Sequence, residues 1–155
     1  MTIYLLALLI GVVAGLRTFT PLAAVSWAAF LGWLQLRGGP RGFLAATATP
    51  YIFTVLAAVE LVFDKLPNTP SRKSPTGFTA RVVSGALCGA AIGLGGGGAL
   101  VVGMIAGVAG AVLGTLGGYE ARTRLVKAIG GRDLPIALIE DLCAVGAAFL
   151  IVRSA

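Results

Sequence analysis

The stretch Ala99–Tyr119, ALVVGMIAGVAGAVLGTLGGY, decides the fold. It is one apolar run of the length a helix needs to cross the hydrocarbon core, roughly 20 residues. Glycine recurs within it at positions 103 and 107, then at 110, 114 and 118, and upstream at Gly85, Gly89 and Gly93. On a helix this four-residue spacing cuts a groove without side chains, into which a neighbouring backbone approaches closely. Gly85, Gly89, Gly93, Gly103, Gly107, Gly110 and Gly114 are therefore read as packing positions. They serve helices within the chain first and a homo-oligomer interface second.

Working outward, the same texture covers the 155 residues, of which 57% are hydrophobic and 12% charged, with no histidine. A soluble chain carries about 25% charged residues. Six apolar segments can be drawn: Thr2–Leu16, Pro21–Leu36, Pro50–Leu66, Thr79–Leu94, Ala99–Tyr119 and Leu134–Val152. The expected fold is all-α, a single transmembrane domain over residues 1–155, with about six short glycine-rich helices. The first two segments read as two spans or as the half-helices of a re-entrant hairpin, six spans being preferred. FLAATAT before Pro50 reads as a backward extension of the third helix, kinked at the proline. The N-terminal run has no basic start and leads into RTFTP, not into a cleavage site, so it is expected to be retained.

Lysines and arginines fix the expected orientation. With the N-terminus outside, the inner loops hold nine of them: Arg17, Lys65, Arg72, Lys73, Arg81, Arg122, Arg124, Lys127 and Arg132. The outer side keeps three, Arg37, Arg41 and Arg153. Both termini are thus expected in the periplasm of a bacterial inner membrane. Tyr4, Trp33 and Tyr51 would fall at the outer interface, and Phe78 and Tyr119 at the inner one. The net charge of +6 is explained by these loops and by anionic lipid headgroups, with no nucleic-acid partner.

Acidic residues inside apolar runs carry the functional expectation. Glu60 and Asp64 are one turn apart on one helical face. Glu140 and Asp141 sit at a comparable depth in the last segment. An ionised carboxylate in lipid must be protonated, paired or wet, so such residues mark function by default. Arg17 and Arg81 enter from the same side, and Thr18 and Thr20 flank Arg17. Thr20 followed by Pro21 reads as a cap and first residue opening the second helix. The resulting expectation is one cluster at the cytoplasmic end, Glu60, Asp64, Glu140 and Asp141 facing Arg17 and Arg81. Its surplus of acid suits a cation or proton, while Arg17 with the helix start would suit an anion. AAVELVFDK and ALIEDLCAV, three spans apart, also read as halves of a 3+3 inverted repeat.

Cys88 and Cys143 lie in apolar segments without CxxC spacing and read as buried spectator thiols, so neither a disulfide nor a zinc site is expected. No nucleophile-elbow, zinc-protease or P-loop motif occurs, and neither enzyme activity nor a cofactor is expected. The leading function is a small transporter or channel for an ion or solute. The alternatives are a non-transporting assembly protein and a lipid-headgroup binder using Arg17, Arg72 and Lys73.

GLRTFTPLAAV, VELVFDKLPNTPSR, ARVVSGALCGAA, GGYEARTRL and LPIALIEDLCAVG occur in this order along the chain. Together they resemble a family of small bacterial membrane proteins, the domain of unknown function 4126. The resemblance implies a polytopic membrane protein and supplies no activity or substrate.

Overall fold

Where the glycine-spaced faces meet, the chain builds its tightest contact. The computed structural model describes residues 2–36, 39–65, 74–131 and 133–155. Among them are six α-helices: α1 Thr2–Leu16, α2 Phe19–Phe30, α3 Ala48–Phe63, α4 Pro75–Gly95, α5 Leu100–Ala128 and α6 Asp133–Ser154, with a 3-10 helix Gly39–Ala45 before α3. The described residues contain no strand. Arg37, Leu66, Arg72, Lys73, Arg132 and most of the loop after α3 lie outside the described residues.

α1, α4 and α5 pack as a triangle whose contacts are backbone on backbone. A methyl group added at Gly85 would stand 2.7 Å from both the Gly107 carbonyl oxygen and the Ala111 Cβ. At Gly89 it would stand 2.8 Å from the Gly107 Cα, and at Gly93 3.0 Å from the Gly103 Cα. On the other side of α5, Gly110 meets the Leu8 carbonyl and Gly114 the Val12 carbonyl, so α1 runs parallel to α5 and α4 antiparallel to both. α2 leans on α3, α4 and α6, completing the bundle.

Each helix runs between the same two ends of the bundle. Tyr4 of α1 accepts a 3.0 Å hydrogen bond from the Ala99 N–H at the α4–α5 connection. Gly95 of α4 faces Leu34 beyond α2, and Trp33 stacks edge-on against Phe149 of α6 at 6.2 Å. The start of α1 and the end of α6 therefore lie at this end, whereas Arg17, Asp64 and Asp141 meet at the opposite one.

Local chemistry explains the stops. α2 ends at Phe30, with Gly32 just beyond it at φ +80°, and the Trp33 N–H closes back on the Ala28 carbonyl at 2.8 Å. α4 ends the same way, with Gly97 at φ +77° and the Gly98 N–H on the Gly93 carbonyl at 2.7 Å. Its start is capped by Ser74, whose side chain accepts from the Gly77 N–H, with Pro75 at the first position.

Four sequence expectations need correction. α3 begins at Ala48, so Pro50 sits in its first turn without kinking it, and part of the preceding segment forms the 3-10 helix. α5 continues as helix through Arg122, Arg124 and Lys127 to Ala128, because arginine and lysine are good helix formers and neither glycine nor proline interrupts them. Thr20 lies inside α2; Thr18 is the cap residue, and its side chain makes no cap bond. Cys143 is exposed on the bundle surface, while Cys88 is buried.

Burial is inverted relative to a soluble protein. Leu142, Val62 and Leu150 on the outer surface are 75%, 64% and 64% exposed, yet Arg17 is the largest fully buried side chain among the described residues. α4, α5 and α6 are long and apolar enough to cross a membrane; α1, α2 and α3 are apolar but shorter.

Candidate functional site

The site grows from the break between α1 and α2. The α1 ladder ends with the Arg17 N–H on the Val13 carbonyl at 2.8 Å, and α2 opens two residues later. The first N–H groups of α2 need acceptors that Thr18 does not supply. Glu60 of α3 supplies them across space. Its two carboxylate oxygens accept from the Thr18 N–H at 2.7 Å and the Phe19 N–H at 2.8 Å. Two hydroxyls brace the same break from the other side. Ser84 of α4 donates to the Thr18 carbonyl at 2.6 Å. Thr115 of α5 reaches the Gly15 carbonyl at 3.2 Å and its own Ala111 carbonyl at 2.8 Å.

Held in this way, the Arg17 guanidinium divides its two terminal nitrogens between two helices. Nη1 donates to Asp64 at the end of α3, and Nη2 donates to Asp141 of α6. The second Asp141 oxygen receives Lys65 Nζ at 2.7 Å, and Lys65 also donates to the Leu61 carbonyl at 2.8 Å. The two cations thus balance the two aspartates. Glu60 is left over, set against the positive end of the α2 dipole.

Glu140, beside Asp141, turns to a partner on α5. It faces Arg122 of α5 at 3.5 Å, and Arg122 grips Asp133 with two bonds of 2.6 and 2.8 Å. Glu140 and Asp141 thus take different partners, because adjacent residues on α6 point about 100° apart, while Asp64 of the Arg17 group also lies within electrostatic reach of Arg122. Arg81 is buried in α4 and engaged with a partner.

Lys65, Ser84 and Thr115 were missed as members of these networks, whereas Arg122 was expected at the same end as the acids. Lys65 had a signal, since it follows Asp64 directly at the end of an apolar helix. Ser84 and Thr115 sit next to Gly85 and Gly114, where close helix approach brings a hydroxyl within reach of a foreign carbonyl.

A cleft of about 460 Å³ runs along α2, α3 and α6 toward Trp33, starting at Thr20, Leu61 and Val145, each about one helical turn from Arg17, Asp64 or Asp141. Its walls are nearly all apolar: Ala23, Ala24 and Trp27 of α2, Ala57, Ala58 and Leu61 of α3, and Val145, Ala148 and Phe149 of α6. Thr20 also lines it; the residue is 6% exposed, and its hydroxyl oxygen is buried with no hydrogen-bond partner among the described residues. Among the described residues no three His, Cys, Asp or Glu side chains are grouped to hold a metal ion.

Apolar helices packed around a buried Arg–Asp network define an all-helical membrane protein. The family described as Domain of unknown function (DUF4126) matches residues 4–154, and the chain belongs to that family. No curated protein and no solved structure matches the chain.

Proposed function

We propose that this protein is a small bacterial inner-membrane transporter whose Arg17–Asp64–Asp141–Lys65 network binds or relays a proton or cation and closes one end of the cleft. One observation carries the reading. α3 and α6 form opposite walls of the cleft, and Arg17 ties them together at one end through Asp64 and Asp141. Protonating either aspartate, or exchanging it onto a cation, weakens that tie and frees α3, which rests mainly on α2 and the 3-10 helix. The Arg17 guanidinium is fully buried and has no solvent to fall back on, so its pairing decides the conformation.

In this reading all six helices cross, both termini are periplasmic and the network is cytoplasmic, as the nine-to-three distribution of basic residues suggests. Lys127→Cys and Ser154→Cys, each in a Cys143→Ser background, test the orientation. Impermeant reagent added to intact cells should label position 154 and spare 127. The reverse result inverts the protein.

Asp64→Asn tests function, because it removes one charge while leaving Asp141 on Arg17. Expected is a folded protein that no longer dissipates a proton or cation gradient in liposomes. A second reading, a non-transporting assembly protein, is favoured by the full pairing of Lys65 and of both terminal nitrogens of Arg17. It predicts no wild-type flux of any ion and a lowered melting temperature as the sole effect. The reading assigns no catalytic role, and its partners are lipid, a small ion or solute, and a second copy of the chain.

A further inference from the structure

The end of α3 presents a backbone oxygen that the helix ladder does not use. The Asp64 N–H bonds to the Glu60 carbonyl at 3.0 Å, and the Lys65 N–H turns to the Val62 carbonyl at 3.1 Å. The Leu61 carbonyl between them is met by a side chain instead, Lys65 Nζ at 2.8 Å. The same ammonium lies 2.7 Å from Asp141 Oδ2 of α6. A carboxylate and a carbonyl at the negative end of a helix dipole thus hold one point charge between two helices. In transporter folds, carbonyls at helix ends coordinate the coupling cation in this way.

Lys65 holds its place less firmly than Arg17 does. Arg17 is fully buried and bonded to both aspartates, whereas the Lys65 side chain is 26% exposed at the edge of the network. An ammonium on a flexible four-carbon stem can swing out to water and keep its proton. Another cation can then take the same two oxygens with no covalent bond made or broken. The distances set its size. Contacts of 2.7 and 2.8 Å exceed those of magnesium, about 2.0–2.1 Å, and of calcium, about 2.3–2.6 Å. The other Asp141 oxygen is committed to Arg17, so the site offers part of one negative charge, which suits a monovalent ion.

We propose that Lys65 Nζ is the tethered occupant of a site for an ammonium-sized monovalent cation, which displaces it from Asp141 and the Leu61 carbonyl. Ammonium, potassium and small primary amines share this chemistry. The proposal rests on the transport reading and names the class of ion that the network takes. Displacement also removes one of the links between α3 and α6, leaving them joined through Arg17.

Lys65→Met tests the site, since methionine keeps most of the apolar stem and frees both oxygens. The full-length wild type and variant are melted in detergent against rising ammonium, methylammonium or potassium chloride. N-methylglucamine chloride holds the ionic strength constant. In Lys65→Met the melting temperature should climb saturably with at least one of the three cations. The wild type should need about tenfold more of the same salt, because its tethered ammonium competes at a high effective concentration. The cation that acts at the lowest concentration separates an inorganic ion from an amine. Adding Asp141→Asn to Lys65→Met should abolish the response. Lys127→Met, which removes an exposed cation from the same end of the bundle, should respond like the wild type.

A Lys65→Met protein that responds to none of the three cations, or at the same concentrations as the wild type, would overturn the proposal. If Lys65→Met folds in no salt, the wild type decides. A saturable rise that Asp141→Asn removes would support the site, and a melting temperature unmoved by all three cations would end it. The two readings fail separately. Cation flux in wild-type liposomes without any saturable melt removes the Lys65 site alone, and saturable melts without flux remove transport alone.

Discussion

The α1–α4–α5 triangle and the α2–α3–α6 side use the same apolar alphabet to opposite ends. In the triangle, glycines let backbones touch, and no side chain stands between Gly85, Gly89 and Gly107. On the other side, alanines and aromatics line a cleft, and the helices are joined at its end by charges. Lipid offers no hydrophobic drive to push helices together, so association rests on packing or on polar bonds. One half of this bundle relies on packing and the other on polar bonds. Packing of that kind has a single geometry, whereas a polar bond can be exchanged for a proton, an ion or another polar group.

The sharpest way to break the contrast is a side chain in the triangle. Gly107→Leu should cost more than about 4 kcal/mol and yield no folded protein, because the clash is with backbone. Gly117→Leu is the matched control, since nothing lies within 4 Å of a Cβ there, and should stay within about 0.5 kcal/mol. Gly97 would serve poorly because its positive φ strains any substitution. Thermal melts and size-exclusion profiles in detergent read both, and a normal Gly107→Leu protein would end the argument for backbone contact.

Next in size is Arg17→Met, expected to lose about 3–5 kcal/mol because Asp64 and Asp141 are left facing each other without it. Adding Asp64→Asn should recover part of that loss in a double-mutant cycle. Strict additivity would mean the two groups do not interact. Glu60→Ala, which uncaps α2, should cost about 1–2 kcal/mol in the same melts, and Glu60→Gln less, since one acceptor oxygen remains. Equal losses in the two would assign the effect to charge and not to capping. Smallest is Thr20→Val, which in lipid-free detergent should raise stability by up to about 1 kcal/mol by deleting an unpartnered hydroxyl. A fall instead would place a hidden partner on that oxygen.

How much of this was legible depended on range. α1 has the bounds Thr2–Leu16 expected from its apolar run, because hydropathy alone sets them. The end of α5 was hidden, since Arg122 and Arg124 read as loop although nothing in them breaks a helix. Thr20–Pro21 imitates a helix start, and the true cap comes from Glu60, 42 residues from Thr18, where no local pattern reaches. That acids and arginines would matter could be read from their cost in lipid. Which acid meets which arginine could not, because Glu140 and Asp141 differ only in their direction around one helix.

The glycine contacts also bear on how such a protein can change over generations. A side chain can be trimmed or enlarged by single methyl groups, so a pocket drifts in small steps. A glycine has nothing to trim, and at Gly89 or Gly107 even alanine collides with backbone. The triangle is thus closed to gradual variation, and any new specificity has to be acquired through the α2, α3 and α6 walls, where each alanine is an unspent option.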